Sequence, residues 1–172
     1  MDKIWAYIRS ISLKNVIGNI LVLIVGYLLI HTYQTWNTPK GVVPTIQGVE
    51  LLGSEYVELN KLEKPVLVHF WATWCKICQF EHSSIISIAK DYPVLSVASQ
   101  SGSASEVKSF MREKGLDFPV ILDRNGELFE RWGGVGYPTS FVVNEKNEVE
   151  YVEAGFTTEF GLRARLFLAK YF

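Results

Sequence analysis

The pattern of apolar and polar positions divides the chain into one continuous apolar segment and a longer region of short alternating runs. The segment, residues 16–33, begins VIGNILVLIVGYLLI, in which Asn19 is the only clearly polar residue. Eighteen residues in a helix reach about 27 Å, close to the roughly 30 Å hydrocarbon core of a bilayer. The pattern therefore predicts one membrane-spanning helix over residues 16–33.

Two other interpretations of this segment stay open. A cleaved signal peptide would be followed by a small-x-small cleavage site, which the continuation HTYQTWNTPKG does not contain. A buried core helix would need every side of the segment to be covered at one end of a small domain. Lys3, Arg9 and Lys14 precede the span, and basic residues favour the cytoplasmic side. Residues 1–15 are thus predicted to be cytoplasmic, and the rest of the chain periplasmic or otherwise extracytoplasmic.

The region after the span has the pattern of one α/β domain. Residues 34–44 hold proline and glycine without periodicity and are interpreted as a linker, so the domain is predicted over 45–172. Crossover units followed by a final hairpin predict a central mixed β-sheet flanked by helices. The predicted strands are Val49–Leu52, Tyr56–Leu59, Val66–Trp71, Val94–Ala98, Pro119–Leu122, Thr139–Val143 and Glu148–Val152. The predicted helices are Cys78–Lys90, Ser103–Lys114, Glu127–Trp132 and Thr158–Lys170.

Two of these helices carry more detailed signals. In the first, Ile85, Ile86 and Ala89 recur at helical spacing, and Phe80 is expected to begin the same buried face. The second shows a capping pattern: Ser103 as N-cap, an acid three residues later, and a glycine just past the end.

Composition and charge sharpen this division. The chain has 172 residues, of which 48% are hydrophobic and 20% charged, so it is not a disordered chain. Residues 1–40 carry four basic side chains and one acidic one, whereas residues 41–172 carry 13 basic and 17 acidic ones. The near-neutral total of −1 combines a basic leader with an acidic domain. Strong overall basicity is absent, so no nucleic-acid partner is expected.

The candidate chemistry lies in the segment WATWCKICQFE, which contains both cysteines of the chain. Cys75 and Cys78 are separated by two residues, directly after a predicted buried strand and at the start of a predicted helix. Free amide groups and the helix dipole stabilise a thiolate at that position, and the spacing lets the second thiol close a disulfide. Cys75 is expected to be the exposed attacking thiol and Cys78 the resolving thiol, with Lys76 adding nearby positive charge.

The sequence argues against most other functions of the two cysteines, but one alternative stays open. A c-type haem attachment needs histidine directly after the second cysteine, where this chain has Gln79. A zinc site needs two further ligands from only three histidines. Cys75, Cys78 and His82 could hold copper(I), so a copper-delivery function stays an alternative. A structural disulfide closing so small a loop would constrain the unfolded chain little.

The segments FWATWCKIC and GVGYPTSFVVN, some sixty residues apart, resemble the thioredoxin fold. More narrowly, residues 45–170 resemble the membrane-anchored periplasmic thioredoxin-like proteins of bacteria, which include TlpA-like, cytochrome-c-maturation and copper-sensitivity-suppressor branches. The resemblance implies that Cys75 and Cys78 are the redox pair and that Pro138 follows a cis peptide bond. It also implies that Tyr137 pairs with an extended substrate backbone, while Trp71 and Trp74 match aromatic positions around the site.

Two acid–base candidates follow from comparison with the family pattern. His69 stands where many thioredoxins have a buried aspartate, and a buried imidazole is expected to be neutral because burial disfavours charge. Proton transfer by His69 to or from Cys78 is one hypothesis, and simple packing is the other. Glu81, on the motif helix, is an alternative acid, or else a solvated side chain on the helix surface.

Together these observations predict a thiol–disulfide oxidoreductase that acts on protein disulfides or thiols in the periplasm, with reduction as the favoured direction. No cofactor and no resident metal are expected. The expected partners are protein substrates and a membrane protein that donates or accepts electrons. The alternatives are an oxidase running the same exchange in reverse, a copper(I) chaperone of the same fold, and a binding module without enzymatic activity.

Overall fold

The computed structural model describes residues 13–36 and 41–171, and the chain divides into two compact units at residue 36. In the first unit, helix α1 spans Leu13–Thr35. It therefore covers the segment for which a membrane span is predicted. Among the described residues, however, no helix is long and apolar enough to cross a membrane. The predicted cytoplasmic segment, residues 1–15, lies outside the described residues except for its last three.

The second unit contains the predicted order of strands and helices, with one additional 3-10 turn at Leu59–Lys61. Its strands are β1 Gln47–Val49, β2 Tyr56–Glu58, β3 Val66–Trp71, β4 Val94–Ser99, β5 Val120–Asp123, β6 Thr139–Val143 and β7 Val149–Ala154. Its helices are α2 Lys76–Ile88, α3 Ala104–Lys114, α4 Glu127–Arg131 and α5 Glu159–Tyr171.

The central sheet has five strands in the order β5-β4-β3-β6-β7, and β1 pairs with β2 in a separate hairpin. Strand β3 is parallel to β4 and antiparallel to β6. The sheet is therefore mixed, as the pattern of crossover units and a final hairpin predicts. Strand β3 lies in the middle of the sheet, and its carboxyl end leads directly into the cysteine segment.

Two apolar clusters cover the two faces of this sheet, because successive side chains of a strand point to opposite faces. Leu67 and Trp71 of β3 belong to the cluster that also contains side chains of α2, α3 and α5. Val66, Val68 and Phe70 belong to the other cluster, together with Phe129 of α4 and residues from the segment before β3. His69 alternates with the second set, so its side chain lies on the face covered by α2.

The start of the domain lies closer to the sheet than the sequence suggests. Val42 lies in the segment interpreted as a linker. It forms an antiparallel β-bridge with Glu148, the residue directly before β7. Val43 is buried, and its N–H donates to the Asn147 carbonyl at 2.9 Å. Residues 42 and 43 are thus packed as part of the domain.

The helices confirm one detailed prediction and correct another. Helix α3 has the predicted capping box, in which the Ser103 and Glu106 side chains each bond the other's backbone N–H, and Gly115 ends the helix in the left-handed conformation. The prediction that Phe80 belongs to the buried face of α2 is wrong, because this side chain is 76% exposed. Residues two apart on a helix point in nearly opposite directions, and the buried face contains Cys78.

Candidate active site

The two cysteines form a disulfide at the N-terminus of α2, with their Cα atoms 5.3 Å apart. Cys75 is the N-cap residue of the helix, and its Sγ accepts the Cys78 N–H at 3.1 Å. A sulfur at this position faces the free amide groups and the positive end of the helix dipole, both of which stabilise a thiolate. The sheet and helix thus place the pair where a reactive sulfur is stabilised by backbone alone.

The two sulfurs differ in their access to solvent. Cys75 is 7% exposed and Cys78 is fully buried. The difference is smaller than the sequence predicts, since Cys75 is only marginally accessible, but its direction is the predicted one. A molecule approaching from solvent can therefore reach Cys75 and not Cys78.

An aromatic surface borders the disulfide. Trp74, directly before Cys75, is 60% exposed, and its indole N–H donates to the Gln100 carbonyl at 2.9 Å. Its ring meets the ring of Tyr137 edge to face, with the centroids 5.6 Å apart. The Tyr137–Pro138 peptide bond is cis, as the resemblance implies. The structure thus brings Trp74 into contact with Tyr137, which lies more than sixty positions later in the sequence.

His69 lies in the middle of the sheet and is fully buried. Its Nδ1 is 2.9 Å from the Ser140 hydroxyl on β6, and within the described chain its Nε2 has no hydrogen-bond partner. Burial, with a smaller contribution from the nearby His82, lowers the pKa of His69 to about 3. The imidazole is therefore neutral at physiological pH, as the sequence analysis expects.

Glu81 lies on α2 three residues after Cys78, on the same buried helix face, and is only 1% exposed. Its Oε1 accepts the Thr157 N–H from the loop before α5. Its Oε2 has no partner among the residues that the structure describes. The pKa of Glu81 is raised to about 7, mainly by burial and to a smaller extent by the Glu153 carboxylate, while the Thr157 hydrogen bond lowers it. Glu81 is thus not a solvated surface side chain but a buried acid that titrates near neutral pH.

His82 and Trp71 form the inner aromatic wall on the same face of the sheet. Their rings meet edge to face with centroids 5.2 Å apart, and Phe110 and Phe118 pack against the imidazole as well. Burial lowers the pKa of His82 to about 4, with a further contribution from the charge of Lys114. Across residues 13–36 and 41–171, no three His, Cys, Asp or Glu side chains are grouped to hold a metal ion. The alternative copper set of Cys75, Cys78 and His82 is not supported by this arrangement.

Three polar residues without a sequence signal lie beside His69 and Glu81. Ser140 faces His69 across the β3–β6 pair, and Glu153 faces Ser140 across the β6–β7 pair. Thr157 joins this row to Glu81 through the hydrogen bond from its N–H. No local motif marks these residues, and only the register of the sheet and the loop after β7 bring them to His69 and Glu81. A second cis bond, at Lys64–Pro65 before β3, also lacks a sequence signal.

A mixed sheet whose central strand leads into a Cys-x-x-Cys disulfide at a helix N-terminus, with a cis-proline directly before the neighbouring strand β6, defines a thioredoxin-like disulfide oxidoreductase. The chain belongs to the Redoxin family, whose sequence model matches residues 41–163. It is 31% identical to a thioredoxin-like protein of Haemophilus influenzae over 166 residues, which cover 94% of this chain and 99% of the relative. It is 30% identical to the thiol-disulfide oxidoreductase ResA of Bacillus thuringiensis over 133 residues, covering 73% and 76%.

The solved structures agree with this assignment. The crystal structure of StoA from Bacillus subtilis superposes with a TM-score of 0.64 at 26% identity, covering 73% of this chain and 98% of that one. The chain is therefore an enzyme of the thiol–disulfide oxidoreductase class, with Cys75 and Cys78 as its CxxC-spaced pair.

Proposed function

We propose that this protein reduces disulfides of protein substrates outside the cytoplasm. The observation that carries the proposal is the Cys75–Cys78 disulfide at the N-terminus of α2, in which Cys75 is marginally exposed and Cys78 is fully buried. Starting from the dithiol, the Cys75 thiolate attacks one sulfur of the substrate disulfide. A Cys75–substrate disulfide forms, the substrate bond breaks, and the first substrate thiolate leaves and takes up a proton.

The second step closes the enzyme disulfide. Cys78 loses its proton and attacks Cys75 Sγ, so the mixed disulfide breaks and the second substrate thiol is released. Two electrons have then moved from the enzyme to the substrate. A membrane protein that supplies electrons would return the enzyme to the dithiol. The oxidative direction uses the same steps in reverse.

Trp74, Tyr137 and Pro138 are proposed to form the surface on which the substrate lies. Trp74 presents an exposed apolar ring beside the accessible sulfur, and Ile77 and Val135 are also about half exposed. Exposed apolar side chains around a reactive group favour a partner that buries them. A substrate segment with apolar residues flanking its cysteine fits this surface best. Replacing Trp74 with alanine is expected to raise the KM for such a peptide disulfide more than it lowers kcat.

Glu81 is proposed to accept the proton of Cys78 in the second step. It follows Cys78 by three residues on the buried face of α2, the spacing at which helical side chains are neighbours. A general base works best when its pKa lies near the working pH, and the pKa of Glu81 is about 7. The pKa of His69 is about 3, so its imidazole is a poor base. Proton transfer is therefore proposed for Glu81, and His69 is proposed only to pack in the core.

Two cysteine variants test the exchange. Cys75→Ser is expected to abolish reduction of insulin disulfides, because no accessible sulfur is left. Cys78→Ser is expected to accumulate mixed disulfides with substrate, visible on non-reducing gels, because nothing resolves them. Full activity of Cys75→Ser would refute the assignment.

The direction of electron flow is tested by the reduction potential of the full chain, measured in glutathione redox buffers. A value near that of thioredoxin, about −270 mV, supports a reductase, whereas a value near −120 mV, typical of a strong oxidant, supports the oxidase.

Membrane attachment through residues 16–33 and a periplasmic domain are also proposed. Their support is the apolar run of the segment and the basic residues before it. The test is cell fractionation: the full chain is expected in alkali-washed membranes, and a variant lacking residues 1–33 in the soluble periplasmic or culture fraction when given a cleavable export signal. Recovery of the full chain in the cytoplasmic fraction would refute the localisation.

A further inference from the structure

An ion pair lies beside Glu81 and is not used by the exchange steps above. Arg165 of α5 contacts Glu153 of β7, with its Nη2 2.5 Å from Glu153 Oε1. The Glu153 side chain is 11% exposed and that of Arg165 is 30% exposed, so the pair lies at the edge of the buried region. A second contact, from Arg165 Nη1 to the Gly161 carbonyl at 2.9 Å, holds the guanidinium in place.

Thr157 connects this ion pair to Glu81. Its N–H donates to Glu81 Oε1, and its Oγ1 lies 3.5 Å from Glu153 Oε2, at the long limit of a hydrogen bond. Thr157 therefore contacts two carboxyl groups, those of Glu81 and Glu153, which lie far apart in the sequence. The preceding loop is also tied to the cis-proline, since the Gly155 N–H donates to the Pro138 carbonyl at 2.8 Å.

Charges in this arrangement act on Glu81 in opposite directions. A nearby carboxylate disfavours ionisation of a second carboxyl, and a guanidinium on the first carboxylate reduces that effect. We propose that the Glu153–Arg165 ion pair is a positioning element that sets the protonation of Glu81, and thereby the step in which Cys78 loses its proton. The link to catalysis rests on the proposed function of Glu81.

The other titratable groups packed around Glu81 do not supply a competing charge. On α2 itself these are Cys78 and His82, and on β3 it is His69. Burial keeps both imidazoles neutral near pH 7, and both sulfurs are bound in the oxidised protein. On α5, Glu159 pairs with Arg163 at 2.8 Å, and both bond to Ser87, near the other end of α2. The Glu153–Arg165 ion pair is thus the charged group that is connected to Glu81, through the contacts of Thr157 with both carboxyl groups.

The test measures the titration of Glu81 in the oxidised full chain by carbon-13 NMR of glutamate carboxyls, with the signal assigned by its loss in Glu81→Gln. No thiol titrates in this state, so the measurement does not depend on exchange. Glu153→Gln is expected to move the midpoint of Glu81 to lower pH, because a negative charge is removed. Arg165→Met is expected to move it to higher pH, because the charge of Glu153 is left uncompensated. Each change is expected to exceed twofold in proton affinity, about 0.3 pH units.

Two further variants serve as controls. Arg165→Lys keeps the positive charge and is expected to keep the wild-type midpoint within twofold. The double variant Glu153→Gln with Arg165→Met removes both charges, leaves no unpaired carboxylate, and is expected to titrate between the two single variants. If Arg165→Met alone does not fold, this double variant still allows the effect of the ion pair on Glu81 to be measured.

A structural function of the pair predicts a different result. Loosening the loop would let water reach Glu81 in both single variants, and both midpoints would fall. Midpoints that move in the same direction, or that do not move, overturn the inference. If they move in opposite directions while Glu81→Gln leaves the pH profile of exchange unchanged, the inference stands and the proposed catalytic function of Glu81 fails.

Discussion

Replacing Glu81 with glutamine is expected to change how the stability of the protein depends on pH. In the folded chain the pKa of Glu81 is about 7, against an ordinary value of 4.5, because the carboxyl is buried. The folded state therefore binds this proton more tightly than the unfolded state does. It follows that the free energy of unfolding decreases as the pH rises through the interval between these two values.

The magnitude follows from the difference between the two pKa values. One pH unit of difference corresponds to about 1.4 kcal/mol, so the full loss is about 3 kcal/mol. About 2 to 3 kcal/mol of it falls between pH 5 and pH 8. Glutamine retains the oxygen that accepts the Thr157 N–H but cannot ionise, so the variant does not lose this energy. The stability of Glu81→Gln relative to wild type is thus expected to rise by that amount over the interval.

The measurement is urea denaturation of the oxidised full chain at several pH values from 5 to 8, followed by tryptophan fluorescence. His69 and His82 change the stability with the opposite sign below about pH 6.5, but wild type and Glu81→Gln both contain them, so their effects cancel in the difference. Glu113→Gln is the matched control, since that side chain is 70% exposed. A difference between Glu81→Gln and wild type that stays constant with pH would refute the argument.

Three further outcomes are expected, all measurable by urea denaturation. Ser103→Ala removes the N-cap of α3 and is expected to cost about 1 kcal/mol without changing the exchange rate; an unchanged midpoint would contradict the capping box. Ile85→Ala is expected to cost about 2 to 5 kcal/mol because it leaves a cavity under α2, whereas Ile77→Ala, at a half-exposed position, is expected to cost less than about 1 kcal/mol; equal losses would contradict the assigned helix face. The pKa of His82 is lowered to about 4, so the folded state loses stability as the pH falls below about 6.5. His82→Phe is expected to lose about 2 kcal/mol less than wild type between pH 7 and pH 4.5, and parallel losses would contradict this.

Sequence patterns predict the sheet better than they predict helix ends. Strands β3 and β6 have their predicted bounds because both are short segments rich in β-branched and aromatic residues, and a proline directly precedes each of them. Helix α2 begins two residues earlier than predicted. Its N-cap is Cys75, whose sulfur accepts an N–H in the manner of the oxygen of serine or aspartate, and cysteine is not among the residues from which an N-cap is usually inferred.

The active site likewise contains residues that the sequence could identify and residues that it could not. The cysteine pair and the cis-proline could be found because local spacing and a family pattern mark them. The acid–base surroundings could not, since Glu153 and Thr157 lie more than seventy residues after Glu81 and reach it only through the sheet register and the loop after β7. Glu81 itself could be named from the sequence, but its burial could not, because burial depends on how α5 and its preceding loop cover α2.

The unequal access to the two sulfurs also determines the order in which partners can react. Because Cys78 is buried, a protein substrate and the proposed electron donor would both have to react with Cys75, so the two could not be bound covalently at the same time. The enzyme then shuttles between an oxidised and a reduced form, releasing one partner before it meets the next. Steady-state kinetics with donor and substrate varied together would take the ping-pong form, in which the double-reciprocal plots are parallel lines.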